Sequence, residues 1–180
     1  GWLMVGGQKM SKSRANGIRP DGLVDTFGSD AYRDDGVRAR RGCSDGSISW
    51  EDFNARYHAE LANGFGNLAS RVAAMIGKYF DGVLPASGAT TTAEQMVIDV
   101  VAKAVAEADA AIEAIAPHDA LSAIWRIVDE LNGYLTDQAP WKVAKEEPDS
   151  DRLATILVTA AEGLRVLAVL LNSVMPKASA

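Results

Sequence analysis

From residue 49 onward the apolar residues recur at intervals of three and four. Trp50, Phe53, Tyr57, Leu61, Phe65, Leu68, Val72 and Met75 make one stripe ending at Tyr79-Phe80, the spacing of one face of an α-helix. Ser49 stands where a cap is expected, and Asp81-Gly82 where such a helix should stop. Beyond a loop at Leu84-Pro85-Ala86-Ser87-Gly88, an alanine-rich segment from about Thr91 to Ile115 predicts a second helix. Pro117 opens a third, with Leu121, Ile124, Trp125, Val128, Leu131 and Leu135 on its inner face. A fourth, from about Asp149 to Val174, is apolar over much of its circumference and is expected at the centre; Pro176 stops it. Four long helices with short connections predict an α-helical bundle, and no internal repeat divides them.

The first third reads differently. Gly1-Trp2-Leu3-Met4-Val5 has the character of a buried strand or its exit, and Asp21 to Gly28 that of a short helix with a glycine stop. Between the Gly6-Gly7 turn and the Asn16-Gly17 turn lies Lys9-Met10-Ser11-Lys12-Ser13. Lysine is a flexible point charge with three donors, and a serine hydroxyl bonds oxyanions. A loop of this kind suits a polyphosphate whose charge shifts during reaction. The plain alternative is a solvated basic surface loop.

Charge sharpens this division. The net charge of −6 comprises +3 over residues 1–41 and −9 over residues 42–180. So acidic a bundle would not hold RNA by bulk electrostatics, and any RNA recognition should rest on a few placed side chains. The single cysteine, Cys43, excludes an internal disulfide or a cysteine-based zinc site and reads as an incidental loop thiol. His58 and His118 read as surface or capping residues, and no metal-ligand cluster is expected. No stretch is read as a membrane span or a secretory leader, so a cytoplasmic piece of a longer protein is expected.

Two places in the bundle do not look like plain core. Asn67 and Arg71 stand four apart, one turn from each other on one helix face. An amide beside a guanidinium offers donors and acceptors matched to a nucleobase edge; an interhelical hydrogen bond or a surface ion pair would use the same two residues. Pro140 fits the first turn of a short helix that would present Trp141 beside Lys142. An aromatic ring beside lysines can stack an unpaired base, and it can equally pack a bundle corner.

The Lys9–Ser13 string, followed by a Gly-containing turn and then by Leu23, Phe27-Gly28, Asp30-Ala31 and Arg33, resembles the KMSKS signature of class I aminoacyl-tRNA synthetases and their catalytic-domain exit. Ala62-Asn63-Gly64-Phe65-Gly66-Asn67-Leu68-Ala69-Ser70-Arg71, with Asn132, Tyr134, Pro140 and Trp141 and with Lys78-Tyr79-Phe80, resembles the methionyl-tRNA synthetase family in particular. The resemblance covers nearly the whole chain. It implies a mainly α chain, in which residues 1–33 are the tail of an α/β Rossmann-type catalytic domain. Residues 34–48 would be a connector and 49–180 an α-helical anticodon-binding domain. It implies that Lys9, Met10, Ser11, Lys12 and Ser13 hold the phosphates of ATP, which comes with Mg2+, and that Lys9 and Lys12 serve catalysis. Asn67, Arg71, Pro140 and Trp141 would serve the CAU anticodon of tRNA(Met), with Trp141 stacking on its first base. Methionine would bind in upstream parts of the parent enzyme, and this piece alone would be inactive. A non-catalytic RNA-binding or structural bundle, or a synthetase of the same class for another amino acid, are the alternatives.

One stretch departs from the family. Where the family has aromatic and aliphatic residues, this chain has Asp34-Asp35-Gly36-Val37-Arg38-Ala39-Arg40-Arg41-Gly42-Cys43, rejoining at Ser44-Asp45-Gly46 without an obvious change of length. The pattern is that of a compensated reading-frame shift or a sequencing error. The weaker functional reading makes Arg38, Arg40 and Arg41 an RNA-backbone clamp. If genuine, the stretch should loosen packing between the catalytic edge and the bundle.

Overall fold

The structure is a computed structural model, and it describes residues 2–5, 7–14, 16–38, 45–148 and 150–180; the side chain of Lys12 also lies outside the described set. Cys43, Arg40 and Arg41 fall outside it as well.

Most of the chain is helical, behind a small three-stranded sheet. Strand β1 (Leu3–Val5) lies between β2 (Gln8–Lys9), antiparallel with Met4 opposite Lys9, and β3 (Gly46–Ser47), parallel with Leu3 opposite Gly46. The strand expected to be buried is only half-covered here. Helix α1 (Pro20–Phe27) begins with proline, whose fixed φ suits the first turn, and stops at Gly28, whose φ of 88° glycine adopts readily. Helix α2 spans Ser29–Arg38.

The expected first long helix is three pieces of one rod: α3 (Trp50–Arg56), a π-helical segment Tyr57–Gly66, and α4 (Asn67–Phe80). The uniform α-helix predicted from periodicity is thus corrected. Phe53, Tyr57, Leu61 and Phe65 are spaced four by four by four, longer than the α period, so a widened helix keeps them inward. Gly66 belongs to that widening, since a Cβ there would lie 3.1 Å from the Leu61 carbonyl oxygen. At its end the Asn67 amide bonds the carbonyl of Ala62, five residues back. Ser49 caps α3 through the amide of Asp52.

Helices α5 (Thr92–Glu113), α6 (Pro117–Gln138), the short α7 (Pro140–Glu146) and α8 (Asp151–Leu171) complete the bundle. Leu68, Val72, Val97, Leu121, Ile127, Leu131, Leu135, Ile156, Leu157 and Leu167 form its core. Helix α8 is buried along Leu153, Ile156, Leu157, Ala160 and Leu171, as its all-round apolarity predicts. Contrary to the sequence expectation, its length and hydropathy do match a membrane span. Packing against α4, α5, α6 and α7 accounts for that apolarity, because a central helix must be greasy on several sides.

A second, smaller apolar cluster joins the first third to the rod. Leu23, Ala31 and Phe53 are buried there. Phe27 meets Phe53 at 4.8 Å and Tyr57 at 5.1 Å between ring centroids, within the range of favourable aromatic pairs. Polar clasps reinforce the junction. Arg33 donates to the carbonyls of Ser173 and Val174, and Asp30 accepts from the amides of Lys177 and Ala178. The Asp30-Ala31-x-Arg33 pattern therefore holds the chain just past α8.

Candidate functional site

The Lys9–Ser13 loop hangs on the edge of the sheet. The Met10 amide donates to the Leu3 carbonyl at 2.8 Å, continuing the β1–β2 ladder, and Lys12–Arg14 form one 3-10 turn. Asn16 ties the loop shut. Its side-chain oxygen accepts from the Ser11 amide at 2.9 Å, and its amide nitrogen donates to the Lys9 carbonyl at 3.3 Å. Asparagine does this readily because its short amide reaches nearby backbone. Sequence reading saw only a turn at Asn16; the signal available was that same local-bonding tendency.

Within the loop, Ser11 and Ser13 hydroxyls pair at 3.2 Å, and Ser13 is exposed. Met10 turns toward Leu3, Ile18, Leu23 and Tyr32 around a small cleft. The Lys9 ammonium sits over the Trp2 ring, 3.0 Å from its centroid, a cation–π contact that holds an exposed lysine at the loop's edge. No carboxylate lies between Gln8 and Pro20. Ammonium, hydroxyl and amide groups are a donor set for phosphate oxygens and not for a hard cation. Among the described residues no group of three His, Cys, Asp or Glu could hold a metal.

The second candidate group lies on the bundle. Arg71, on α4, places its guanidinium over the Trp141 ring of α7 at 5.6 Å from the centroid. Two residues seventy positions apart in sequence thus share one surface. Asn67 stands one turn before Arg71, exposed, with its side-chain amide in no hydrogen bond among the described residues. Arg71 makes no ion pair with any described carboxylate. Pro140 is buried at the first position of α7, and Trp141 is half-buried. The corner that sets them is Ala139, at φ 42°, a left-handed conformation that costs a residue with a Cβ on the order of 1 kcal/mol.

A buried ionic network supports that corner, and sequence reading missed it. Glu94 on α5 is 1% exposed. It accepts from the Thr91 amide and hydroxyl, from Tyr134 on α6 and from Arg152 on α8. Arg152 donates in turn to Gln138, the last residue of α6 before the corner. Burial pushes the Glu94 carboxyl up, but the bonds from Arg152, Thr91 and Tyr134 outweigh it and hold the group well below the usual carboxylate range. Burial and the Glu94 charge push the Tyr134 phenol up, so it stays a neutral donor. Thr91 and Glu94 form a capping box, and that spacing was the legible signal. Asn132 donates to the carbonyls of Val128 and Gly64, tying α6 to the π-helical segment.

Residues 1–73 match the family described as tRNA synthetases class I (M), and residues 84–180 match the anticodon binding domain of methionyl tRNA ligase. A methionine–tRNA ligase of Streptomyces coelicolor is 58% identical over 99% of this chain and 34% of its own length. One of Clostridium tetani is 37% identical over 99% of this chain and 28% of its own. In three dimensions the chain is similar to Mycobacterium tuberculosis methionyl-tRNA synthetase in complex with methionyl-adenylate. The TM-score is 0.93 at 34% identity, covering 99% of this chain and 35% of that one. The chain spans about a third of the length of these relatives. With residues 1–73 matching the one model and residues 84–180 the other, the chain belongs to the methionyl-tRNA ligase family.

Proposed function

We propose that this chain supplies the ATP-phosphate loop and the anticodon-reading bundle of a cytoplasmic methionine–tRNA ligase acting on tRNA(Met). The observation that carries the reading is Arg71 over Trp141, with Asn67 one turn away: an indole, a guanidinium and a free amide on one face. Stacking is tolerant of base identity, whereas the guanidinium and the amide discriminate base edges. Trp141 then stacks the first anticodon base, Arg71 and Asn67 read edges, and buried Pro140 fixes the direction of α7.

At the other site, a methionine carboxylate oxygen attacks the α-phosphorus of ATP. The bond from that phosphorus to the bridging oxygen breaks, and pyrophosphate leaves with the electron pair. Lys9 and Lys12 stabilise the charge growing on the pyrophosphate, assisted by the Ser11 and Ser13 hydroxyls. The acyl group then passes to the terminal hydroxyl of the tRNA, releasing AMP. The methionine pocket belongs to the parent's other parts, so this chain by itself is expected to be inactive. Mg2+ would arrive with the ATP phosphates, since the loop offers it no carboxylate.

The test is binding of the full-length protein to tRNA bearing CAU and to the same tRNA with one changed anticodon base, at fixed salt. A preference for CAU that is lost in Trp141→Ala is expected. Equal binding of both tRNAs by the folded wild-type protein would reduce the chain to a class I loop joined to a bundle without anticodon specificity.

A further inference from the structure

Strand register fixes which side chains can meet at the base of the Lys9–Ser13 loop. Met4 of β1 lies opposite Lys9 of β2, so their side chains share one face of the sheet. Trp2 stands two residues before Met4 and, by the period of two, projects from that same face. Trp2 and Lys9 are therefore diagonal cross-strand neighbours, a separation that an aromatic ring and a long side chain can span. They do so: the Lys9 ammonium ends over the indole, 3.0 Å from its centroid.

The ring is the anchored member of this pair. The Trp2 amide donates to Asp45 Oδ1 at 2.6 Å, and the Trp2 carbonyl accepts from the Gly46 amide at 3.0 Å. Of the other tryptophans, Trp50 meets Phe27, Trp125 is buried in the core and Trp141 lies under Arg71. Lys9 forms no ion pair with any described carboxylate. Arg14, at the far end of the loop, rests on the side-chain oxygen of Gln8 at 3.0 Å. Both cations are thus held by uncharged partners. A carboxylate would hold an ammonium more firmly but would cancel the charge that a phosphate loop has to offer. A ring orients the ammonium and leaves its charge in place.

We infer that Trp2 is a positioning residue for Lys9, its ring holding the ammonium at the edge of the loop, ready for the phosphates of ATP. The inference rests on the phosphate-loop reading proposed above and adds to it a residue outside the Lys9–Ser13 string. A lysine loses much rotamer freedom when its ammonium is fixed on a ligand. With the ammonium already confined over the ring, part of that loss occurs before ATP arrives, and binding is the easier for it. The pull of a ring on an exposed ammonium is weak beside that of a polyphosphate, so the lysine transfers when the phosphates come within reach.

The experiment is ATP–pyrophosphate exchange by the full-length protein at varied ATP. Wild type would be compared with Trp2→Leu, Trp2→Phe, Lys9→Met, and each Trp2 variant combined with Lys9→Met. Leucine keeps apolar bulk on the strand and removes the ring face. Trp2→Leu is expected to lower kcat/KM for ATP about two- to fivefold, the usual strength of an exposed cation–π contact expressed as a rate ratio. Trp2→Phe should fall between wild type and Trp2→Leu, and KM for methionine should stay near wild type. In the Lys9→Met background neither Trp2 change should have a further effect, which separates positioning of the lysine from mere support of β1. Trp2→Phe carries the same cycle if Trp2→Leu does not fold. An unchanged or raised kcat/KM for ATP on loss of the ring overturns the inference; a rise would mean that the ring keeps the lysine from the phosphates. A loss of equal size with and without Lys9 overturns it as well. If Lys9→Met itself leaves exchange unchanged, the phosphate reading of Lys9 falls and this inference falls with it.

Discussion

Single side chains account for most of what is testable in the loop and at the junction. If the loop acts as proposed, Lys12→Ala in the full-length protein is expected to slow adenylate formation on the order of a hundredfold, the usual loss when one charge facing a leaving pyrophosphate is removed. Methionine affinity should stay near wild type, because the proposal puts the methionine pocket outside this chain; ATP–pyrophosphate exchange and methionine titration read the two separately. Asn16 acts differently, through the backbone of Ser11 and Lys9. Asn16→Ala should raise KM for ATP more than it lowers kcat, because it loosens the loop without removing a charge. Asp34 is a third case. It is 1% exposed with Oδ1 in no hydrogen bond, and burial, then the nearby Glu60 charge, lift its carboxyl to about 6 against the opposing Arg38 and Arg56. The folded state therefore binds this proton more tightly than the unfolded state, and stability falls as pH rises from about 4 to about 6. Asp34→Asn should add about 2–3 kcal/mol at pH 8, a gain that shrinks toward zero as the pH drops below 4. Denaturant unfolding of the two proteins across that range checks both sign and window.

Elements show how far local rules reach. Ser49, Asp81-Gly82, Pro117 and Pro140 mark helix ends in the sequence because capping and proline act within one turn, and the structure puts ends there. The π-helical segment was not marked, since widening is a response to partners: Asn132 of α6 reaches the Gly64 carbonyl and Phe65 enters the core. For Glu94 the capping-box spacing to Thr91 was legible, but the network was not, since its other partners, Tyr134 and Arg152, come from α6 and α8. The meeting of Arg71 and Trp141 depends on packing across seventy residues, and only resemblance to a family pointed to it. The close approach of α6 and α8 is equally tertiary. A Cβ at Gly163 would come within 2.7 Å of the fully buried Leu131 side chain. Gly163→Ala should cost about 1 kcal/mol or more, overpacking of about 1–3 kcal/mol exceeding the gain in helix propensity; thermal unfolding measures it. The charged stretch that departs from the family enters the structure as the end of α2. There Arg38 bonds Glu60 and Ser122, and His118 meets the Arg38 carbonyl. Two carboxyls with unbonded oxygens, Asp34 and Glu60, sit beside them. Arg56 pairs with Asp35 at the same place, so the charges there are compensated only in part, and resequencing the gene tests the frame-shift reading directly.

Across the whole molecule these two buried carboxyls oppose one another. Asp34 at the junction titrates upward and Glu94 inside the bundle titrates downward, so protons stabilise one region and destabilise the other. Glu94 contributes stability that is fully present above its unfolded value near 4.5 and is lost as the pH falls through its lower folded value. Acidification from pH 7 should therefore first raise stability, as Asp34 is neutralised, and then lower it as the Glu94 network is dismantled. Each limb belongs to one residue. Asp34→Asn should flatten the limb between about pH 4 and 6 and leave the acid limb intact. Glu94→Gln should flatten the acid limb below about 4.5 and leave the other. Arg152→Met removes the cation but keeps the buried carboxylate, so at pH 7 it should cost about 3–5 kcal/mol, more than Glu94→Gln combined with Arg152→Met. Because Arg152 also bonds Gln138 beside the Ala139 corner, the same variant should weaken CAU discrimination more than it weakens overall tRNA affinity. Equal stability of the single and double variants at pH 7 would show that the carboxylate is hydrated, and the network would then be no support for Trp141.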